Sequence, residues 1–409
     1  MEASREKPHV YLIPVASPIH AGKVKGKTDR VRRILLAGGL RVSMAWLVCS
    51  PQEIPDFNPE AYDAIVVFVA SGGTSRTLTQ IAFGKPWLLL AYPENNSLPS
   101  ALAAREKLEA LGGWRGEIVC SRLEKPPNAI LAEARASYLL KTIRASRFLL
   151  AAEEEAFKHF KPKLRRLRKV FGLKALPLRV EELAEACERV EDGEVEALKR
   201  KLGLKSLKPL KLYLALRRLA VKHQVSAVTI DCFPFISRYG FTPCLPFALL
   251  NGEGLPAICE ADLDSLPLFL ALSKLSGGSL WMANLAWADR AGGSLLLAHC
   301  TAPLRRGFKL KNHFETGREI SVDAPLPRGL ITLAHFSLET MRLTAGLGEL
   351  VKSQMGLPGL CRSQALVRVK GNLENLLAHT GNHQLLAPGN HIEVLARMAR
   401  LVGVEFIGG

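Results

Sequence analysis

A continuous apolar segment, residues 64–70 (AIVVFVA), constrains the fold of this chain most strongly. An uninterrupted apolar run of this length, rich in β-branched side chains, is typical of a strand that is buried on both faces. Such strands occur in parallel sheets covered by helices on each side. A glycine-rich turn, residues 71–75 (SGGTS), follows at once and leads into a predicted helix. The segment therefore predicts an α/β domain with a parallel sheet.

The same alternation of strand and helix signals runs through residues 1–125, which we predict to form a Rossmann-like, doubly wound domain. Residues 126–290 are predicted to form a second doubly wound α/β domain, which includes a basic helical block and carries Glu260. Residues 291–375 are predicted to form a β-rich, barrel-like domain. Residues 376–409 are predicted to add a histidine-containing loop, a helix and a strand that pack back on the second domain. The predicted fold class is therefore α/β, with two doubly wound domains followed by a barrel-like C-terminal domain.

Positive charge is concentrated in one part of the chain. The 409 residues have a formal net charge of +17, and residues 141–222 hold 22 Lys and Arg against 11 Asp and Glu. Leucines accompany these basic residues at helical spacing, and few aromatic residues lie among them. Stacking platforms for nucleic acids need such aromatics. We interpret this basic block, residues 141–222, as a solvated, leucine-backed helical surface, and nucleic-acid binding ranks third among our functional hypotheses.

Composition and cysteine usage indicate where such a protein works. With 48% apolar and 23% charged residues, the chain is globular in composition, which excludes a disordered or fibrous protein. No apolar segment reaches the roughly 18–20 residues that a membrane helix needs. The N-terminus, MEASREKPH, lacks the apolar stretch of a signal peptide. The eight cysteines are scattered singly without a CxxC pair. We expect a cytoplasmic protein with no membrane partner and with reduced, mostly buried thiols.

The densest polar cluster in an apolar context is residues 251–264, NGEGLPAICEADLD. It contains four carboxylates, of which Asp264 is predicted to cap the helix that follows. Glu260 has no such structural role, because it comes directly after a short apolar strand and before the cap. Ligands in open α/β sheets bind at the carboxyl ends of strands. Glu260 is therefore the leading candidate for a functional residue.

Two further segments supply candidate partners for Glu260. A predicted hairpin centred between Ala291 and Gly292 places Asn284 opposite His299 on one face of a sheet. Such a pair beside a carboxylate can form a divalent-cation site, or it can be a hydrogen-bonded polar pair in a core or interface. Near the C-terminus, His383 lies in a loop, residues 381–384 (GNHQ), where a histidine is more often structural than catalytic.

Four segments resemble those of a known enzyme family. Residues 254–289 (GLPAICEADLDSLPLFLALSKLSGGSLWMANLAWAD) are similar to the metal-binding core of L-fucose isomerase and its archaeal and bacterial relatives, which include L-arabinose isomerase. Residues 381–407 (GNHQLLAPGNHIEVLARMARLVGVEFI) resemble the family's closing histidine motif. Residues 297–303 (LAHCTAP) and 70–104 also look like family segments. The resemblance spreads over nearly the whole chain except the basic block and is closest to the shorter fucose-isomerase-related proteins.

The resemblance implies an activity, a cofactor and a site. Members of the family are aldose–ketose isomerases that depend on a divalent cation, usually Mn²⁺, and form trimers or hexamers. They have two α/β domains followed by a barrel-like domain. Glu260 matches the first metal-binding carboxylate, His383 the C-terminal metal-binding histidine, and His299 the further histidine ligand of the arabinose isomerase branch. Asn284 falls where the isomerases carry Asp or Glu.

That departure at Asn284 leaves two hypotheses. Transfer of a proton between C1 and C2 through an enediol needs a base near those carbons and a cation on the oxygens. Asn284 can offer a carbonyl oxygen to the cation but cannot act as the base. Glu260 could be ligand or base, and Asp262 could substitute if the strand register differs. The chain is accordingly either a divergent sugar isomerase or a non-catalytic paralogue that binds a sugar or another metabolite.

Several residues are predicted to contact the substrate. They are Asn382 and Asp262 near the candidate metal ligands, and Gly72 and Gly73 in the glycine-rich turn. That turn can bind an anion at a helix N-terminus, but it matches neither GxGxxG nor a P-loop. In the isomerase oligomers this domain helps to cover a neighbouring subunit's active site. Basic residues near the cleft would select an anionic sugar.

Overall fold

The computed structural model describes residues 7–318 and 320–409. The chain divides into two compact units, Met1–Leu139 and Leu140–Gly409, and each is described by itself below. Among the described residues, no helix is both long and apolar enough to cross a membrane.

A five-stranded parallel sheet forms the centre of the first unit, with the strand order β2-β1-β3-β4-β5. Its strands are β1 (His9–Val15), β2 (Arg41–Met44), β3 (Ala64–Val69), β4 (Leu88–Ala91) and β5 (Glu117–Cys120). The helices of this part are α1 (Ala21–Ala37), α2 (Ser75–Ala82), α3 (Ser97–Ala110) and α4 (Asn128–Ala145), and the boundary between the units falls within α4.

Both faces of this sheet are buried, as the apolar run in β3 predicts. Every residue of β3 is buried. Val66 and Phe68 pack into one core, while Ile65, Val67 and Val69 pack into another on the opposite face. A strand that serves two cores has no position for a polar side chain, which explains the lack of alternation in its sequence.

A four-stranded parallel sheet begins the second unit, with the order β7-β6-β8-β9. Its strands are β6 (Arg147–Ala152), β7 (Lys174–Arg179), β8 (Ala227–Ile230) and β9 (Ala257–Ile258). The helices are α5 (Ala156–Phe171), α6 (Val180–Glu188), α7 (Asp192–Leu202), α8 (Lys208–His223), α9 (Cys232–Tyr239), α10 (Cys244–Gly252) and α11 (Leu266–Leu275).

A closed, six-stranded antiparallel barrel completes the second unit and confirms the barrel-like character predicted for this part of the chain. The remaining strands are β10 (Trp281–Asp289), β11 (Ser294–His299), β12 (Lys309–Lys311), β13 (Ser321–Asp323), β14 (Gly329–Ser337), β15 (Arg342–Ser353), β16 (Ser363–Lys370), β17 (His383–Pro388) and β18 (Glu405–Gly408). The barrel order is β14-β17-β10-β11-β16-β15, and pairing of β14 with β15 closes it. Strand β18 joins β15 in parallel, and β12 pairs with β13. The last helices are α12 (Leu373–His379) and α13 (Ile392–Val402).

One hydrophobic core joins the barrel to the helices beside it. Leu210 of α8 and Leu245 of α10 belong to the same buried cluster as Trp281 of β10 and Leu297 of β11. Because the barrel and these helices share this core, the ends of β11 and β17 have fixed positions relative to the helices.

The register of the β10–β11 hairpin differs from the sequence prediction at its inner end. Asp289 pairs with Ser294, as a turn centred between Ala291 and Gly292 requires. The register then shifts by one between Leu285 and Trp287, so Asn284 pairs with Ala298 and not with His299. The predicted direct pairing of Asn284 with His299 is therefore wrong, because a β-bulge adds one residue to β10.

Candidate metal centre and active site

Three strand ends and one strand interior bring polar side chains together in the second unit. Glu260 follows β9 at the carboxyl edge of the parallel sheet, His299 ends β11, and His383 begins β17. Asn284 lies in β10 directly opposite His383. The cluster thus combines the strand edge at which α/β proteins bind ligands with one end of the barrel.

The backbone is strained at Glu260 and at the residue that follows it. Glu260 and Ala261 both have left-handed conformations, with φ of +60° and +47°. Such a conformation costs a residue other than glycine about 1–2 kcal/mol. The Ala261 N–H donates to the Ile230 carbonyl at 2.9 Å, and the Glu260 N–H donates to Cys232 Sγ at 3.2 Å. Strain in two successive residues at a strand end is typical of a functional constraint.

The Glu260 carboxylate lies between the buried His299 and the partly buried His383. Its Oε1 is 3.5 Å from His299 Nε2, and its Oε2 is 3.5 Å from His383 Nε2. Within the described part of the chain, both ring nitrogens are buried and lack a hydrogen-bond partner. Buried polar atoms are seldom left unpaired. A cation at the carboxylate would satisfy at least one of these nitrogens.

His383 has the arrangement of a metal ligand. Its Nδ1 lies 2.8 Å from Asp262 Oδ2, so Nδ1 carries the ring proton and the Nε2 lone pair points towards Glu260. Asp262 is itself held, because its Oδ1 accepts the N–H groups of Asp264 and Ser265, each at 3.0 Å. A carboxylate behind a histidine fixes the tautomer and ring orientation of metal-binding histidines in general.

His299 has the opposite tautomer. Its Nδ1 accepts the backbone N–H of Cys300 at 2.9 Å and lies 3.3 Å from Thr301 Oγ1. In the neutral ring the proton therefore belongs on Nε2, which faces Glu260. A protonated ring nitrogen has no lone pair for a metal. These contacts fit a proton donor to Glu260 better than the ligand role that the resemblance implies for His299.

Charge distribution in the cluster favours a cation. Burial raises the pKa of Glu260, but the interaction with His299 and the charge of His383 outweigh it, so this pKa lies below its ordinary value. Burial likewise raises the pKa of Asp262, but the hydrogen bond from His383 and those from Ser265 hold it at about 2. Burial lowers the pKa of His383, while Asp262 and Glu260 raise it above its ordinary value overall. Both carboxylates are thus ionised at neutral pH.

Asn284 lines the same small cavity as Glu260 and His299 despite the register shift. Its Oδ1 accepts a hydrogen bond from Asn382 Nδ2 at 3.2 Å. An amide oxygen is an acceptable ligand for Mg²⁺ or Mn²⁺ but cannot take a proton from carbon. The structure therefore brings Glu260, Asn284, His299 and His383 together and leaves Asn382 at the exposed side.

The cavity has a volume of about 20 Å³. That is room for one ion or one water, whereas pockets that enclose small molecules have roughly 300–1,000 Å³. A larger ligand would therefore reach the cluster with only a few of its atoms.

Five cysteines in this cavity wall were not among the sequence candidates: Cys232, Cys244, Cys259, Cys300 and Cys361. Cys259, Glu260 and His299 form one group whose donor atoms lie within 4.8 Å of one another, and Cys244, Cys300 and His313 form a second. All eight cysteines are free thiols, and four of them are buried. The thiols come from separate elements, so no local spacing such as CxxC signals them.

The other carboxylates of the 251–264 segment serve structural roles. Asp264 was predicted to cap α11, but Ser265 occupies that position. Asp264 instead accepts the Leu338 N–H at 2.7 Å and pairs with Lys163. Asp262 accepts the N–H groups of Asp264 and Ser265 before the helix, so the Asp264 carboxylate is free to make these other contacts. Glu253 lies 3.5 Å from Arg217, away from the cluster.

Gly72 and Gly73 belong to the first unit, in the turn between β3 and α2. The Gly72 N–H donates to the Asn95 carbonyl at 2.6 Å, and a Cβ at Gly72 would lie 2.8 Å from Asn96 Cβ. Gly73 has φ of +74°, which favours glycine. Close packing accounts for Gly72 and the positive φ for Gly73, and their substrate contact stays a prediction.

Comparison with known proteins adds no assignment. No protein-family model matches the chain, and no curated protein matches its sequence significantly.

Proposed function

We propose that this chain is a metal-dependent sugar isomerase that interconverts an aldose and a ketose through an enediol, related to the L-fucose and L-arabinose isomerases. One observation carries the proposal: the Glu260 carboxylate lies between the unpaired Nε2 atoms of His299 and His383, and Asp262 orients His383 from behind. Parallel α/β sheets followed by a six-stranded barrel, the architecture that the resemblance implies, support it.

Three side chains would hold the cation, for which we propose Mn²⁺ or another divalent ion. His383 offers its Nε2 lone pair, Glu260 its Oε2, and Asn284 its amide oxygen. Carboxylate, amide and imidazole donors together suit Mn²⁺ among the abundant divalent metals. When bound, the cation polarises the sugar's carbonyl and hydroxyl oxygens, which acidifies the neighbouring C–H and stabilises the enediolate.

Proton transfer falls to Glu260 and His299. Glu260 Oε1 faces His299 and takes the C2 proton of the aldose, which it then returns to C1. Its lowered pKa keeps it ionised and ready to accept that proton. His299 Nε2–H donates to O1 as the carbonyl becomes a hydroxyl, and it recovers a proton from O2 as the ketose forms. Asp262 keeps His383 in its metal-binding tautomer throughout.

The test is turnover with a panel of sugars. The protein is loaded with Mn²⁺ and incubated with neutral aldoses, including L-fucose and L-arabinose, and with phosphorylated aldoses, and ketose is measured. We expect one or more aldoses to be converted and Glu260→Gln to abolish the conversion. Glu374→Gln is the matched control, since that exposed carboxylate pairs with Arg290 in a surface ion pair. No ketose from any aldose, with no bound metal by elemental analysis, would refute the proposal.

A non-catalytic paralogue that binds a sugar or another metabolite is the second candidate, and Asn284 is the observation that favours it. Asn284→Asp separates the two. The added charge beside His383 should tighten Mn²⁺ binding in both cases. For an isomerase it should also raise turnover, whereas a binding protein should show ligand-induced stabilisation without product.

Partners follow from the same proposal. We propose a trimer or hexamer of this chain, which light scattering would detect.

Nucleic-acid binding gains little support, because several basic side chains of the block already pair with carboxylates: Lys163 with Asp264, Lys211 with Asp192, Arg217 with Glu253 and Arg218 with Glu194. Binding of RNA or DNA with a steep salt dependence would revive it.

A further inference from the structure

A second cluster of donor atoms lies in the wall of the same cavity. Cys244 is the first residue of α10, Cys300 follows β11, and His313 lies between β12 and β13. Their two thiol sulfurs and one His313 ring nitrogen all lie within 4.8 Å of one another. The three residues are 2%, 2% and 5% exposed. Three buried metal-binding side chains thus converge from three separate segments.

A third thiol completes the cluster. Cys244 and, after it, Cys361, which lies just before β16, lower the pKa of the Cys300 thiol. The Cys361 sulfur is not one of the three donor atoms that all lie within 4.8 Å of one another. Cys361 is half-buried and lines the same cavity. With Cys361, the candidate donor set is three sulfurs and one imidazole.

The imidazole is oriented for binding. His313 Nδ1 lies 3.1 Å from Thr316 Oγ1, which can accept its proton. Nε2, which lies 3.9 Å from Glu315 Oε2, is then the ring nitrogen that a metal would take in place of that contact. This is the same device that Asp262 provides for His383, with a hydroxyl in place of the carboxylate.

We propose that Cys244, Cys300, Cys361 and His313 bind one Zn²⁺ as a structural site, separate from the centre at Glu260 and His383. Three thiolates and one imidazole are an established tetrahedral donor set for zinc and a poor one for Mn²⁺. With Zn–S bonds of about 2.3 Å, a tetrahedral site places its sulfurs about 3.8 Å apart, so the Cys244 and Cys300 sulfurs need to close by at most about 1 Å. Cys361 has to move in from outside that group. The three thiol protons leave to solvent as the Zn–S bonds form.

Such a site would fix the loop that carries His313 and the segment before β16 to α10 and the end of β11. Cys300 directly follows His299, and its N–H holds the His299 ring at Nδ1. Zinc would therefore also hold His299 in its position beside Glu260. We expect zinc to raise the thermal stability of the protein, since ligands that bind only the folded state do so.

The test begins with metal content and cobalt spectroscopy. The full-length protein is loaded with Zn²⁺, exchanged against a weak chelator and analysed for metal. We expect one tightly held zinc, and we expect Co²⁺ in its place to give the visible absorption of tetrahedral cobalt with thiolate charge-transfer bands. Cys361→Ser should weaken zinc binding at least 100-fold, and the exposed Cys120→Ser should not.

Two further measurements separate the zinc site from the proposed isomerase activity and from a loss of folding in the variants. Glu260→Gln and His383→Gln should retain the zinc even if every isomerase assay fails. X-ray absorption of the zinc-loaded wild type should show three sulfurs at about 2.3 Å and one nitrogen at about 2.0 Å. Zinc held only by nitrogen and oxygen, zinc lost in Glu260→Gln, or fewer than eight alkylatable thiols in the metal-free protein, which indicates a disulfide, would each overturn it.

Discussion

Two adjacent residues, Glu260 and Ala261, carry backbone conformations that residues other than glycine avoid. The sequence identifies Glu260 as a functional candidate because a carboxylate after an apolar strand has no capping duty. It does not reveal the strain, since neither residue type is enriched in left-handed conformations. It also assigns the cap of α11 to Asp264, whereas Ser265 holds that position and Asp262 accepts the N–H groups of Asp264 and Ser265.

Removing the carboxylate behind His383 tests its role as a metal ligand. Asp262→Asn keeps the size of the side chain but replaces the anionic acceptor of His383 Nδ1. We expect the affinity for Mn²⁺ to fall by about 10–100-fold, because such outer carboxylates fix the tautomer of the ligand. Isothermal titration calorimetry measures the affinity. An unchanged affinity would mean that His383 is not a ligand.

The Asp262–His383 pair also predicts a pH dependence of stability in the metal-free protein. The pKa of Asp262 falls from its ordinary 3.8 to about 2 on folding, so its contribution is present above pH 3.8 and is lost as the pH falls through about 2. The pKa of His383 rises above its ordinary 6.5, so its contribution is present below pH 6.5 and is lost as the pH rises through the raised value. The pair contributes most between about pH 4 and 6.5.

Comparison with Asp262→Asn isolates this contribution. Urea unfolding in the presence of a chelator should show the wild type more stable by about 2.5 kcal/mol in that window, the free energy that corresponds to lowering the Asp262 pKa from 3.8 to about 2. The difference should shrink on both sides of the window. A difference that stays constant from pH 3 to pH 8 would rule out the pair as its source.

At the scale of strands and helices, the register of the β10–β11 hairpin could be predicted from the sequence only in part. The glycines after Ala291 fix the turn, and the outer pairs of the hairpin follow from it as predicted. The bulge between Leu285 and Trp287 carries no glycine and leaves no trace in the sequence. It moves Asn284 out of line with His299 on β11, whereas on the other side of β10 Asn284 pairs with His383 of β17.

The start of β17 offers a second test at this scale. A Cβ on Gly381 would lie 2.5 Å from the ring of His335, which in turn hydrogen-bonds the His383 carbonyl through Nδ1 at 2.9 Å. Gly381→Ala should therefore displace the start of the strand, destabilise the protein by about 1–3 kcal/mol and weaken metal binding at His383. Urea unfolding of the metal-free variant and calorimetric titration with Mn²⁺ measure the two effects.

Gly26→Ala is the matched control for that substitution. Gly26 lies inside α1, and a Cβ there meets nothing within 4 Å. We expect a gain of up to about 1 kcal/mol from helix propensity and no change in metal affinity. If Gly381→Ala behaved like Gly26→Ala, the contact with His335 would not be what restrains this strand end.

At the scale of the whole molecule, the order of architectures could be predicted but the contacts between distant segments could not. Apolar runs indicate parallel sheets, and the later β-rich part indicates a barrel. The convergence of Cys244, Cys300, His313 and Cys361 depends on how α10, two loops and the barrel share one core. Such long-range contacts carry no periodicity that a single sequence displays.

The net charge of the whole molecule does not identify its functional site. The excess of +17 suggests a polyanion partner, yet it is concentrated in α5, α7, α8 and their neighbours, where ion pairs with acidic side chains take up part of it. The candidate site lies outside the basic block and is formed by two carboxylates and two histidines. Charge therefore describes the surface of this molecule and does not identify its site.

Hydrogen exchange between sugar and solvent tests most directly whether Glu260 moves a proton on carbon. The Mn²⁺-loaded protein is incubated in D₂O with the aldose panel, and proton NMR follows deuterium at C1 and C2. We expect deuterium at C1 of the ketose and at C2 of the recovered aldose, in the wild type and in Glu374→Gln but not in Glu260→Gln. A protein that binds Mn²⁺ through Glu260 and His383, yet exchanges no hydrogen with any aldose of the panel, would contradict the proposed isomerase.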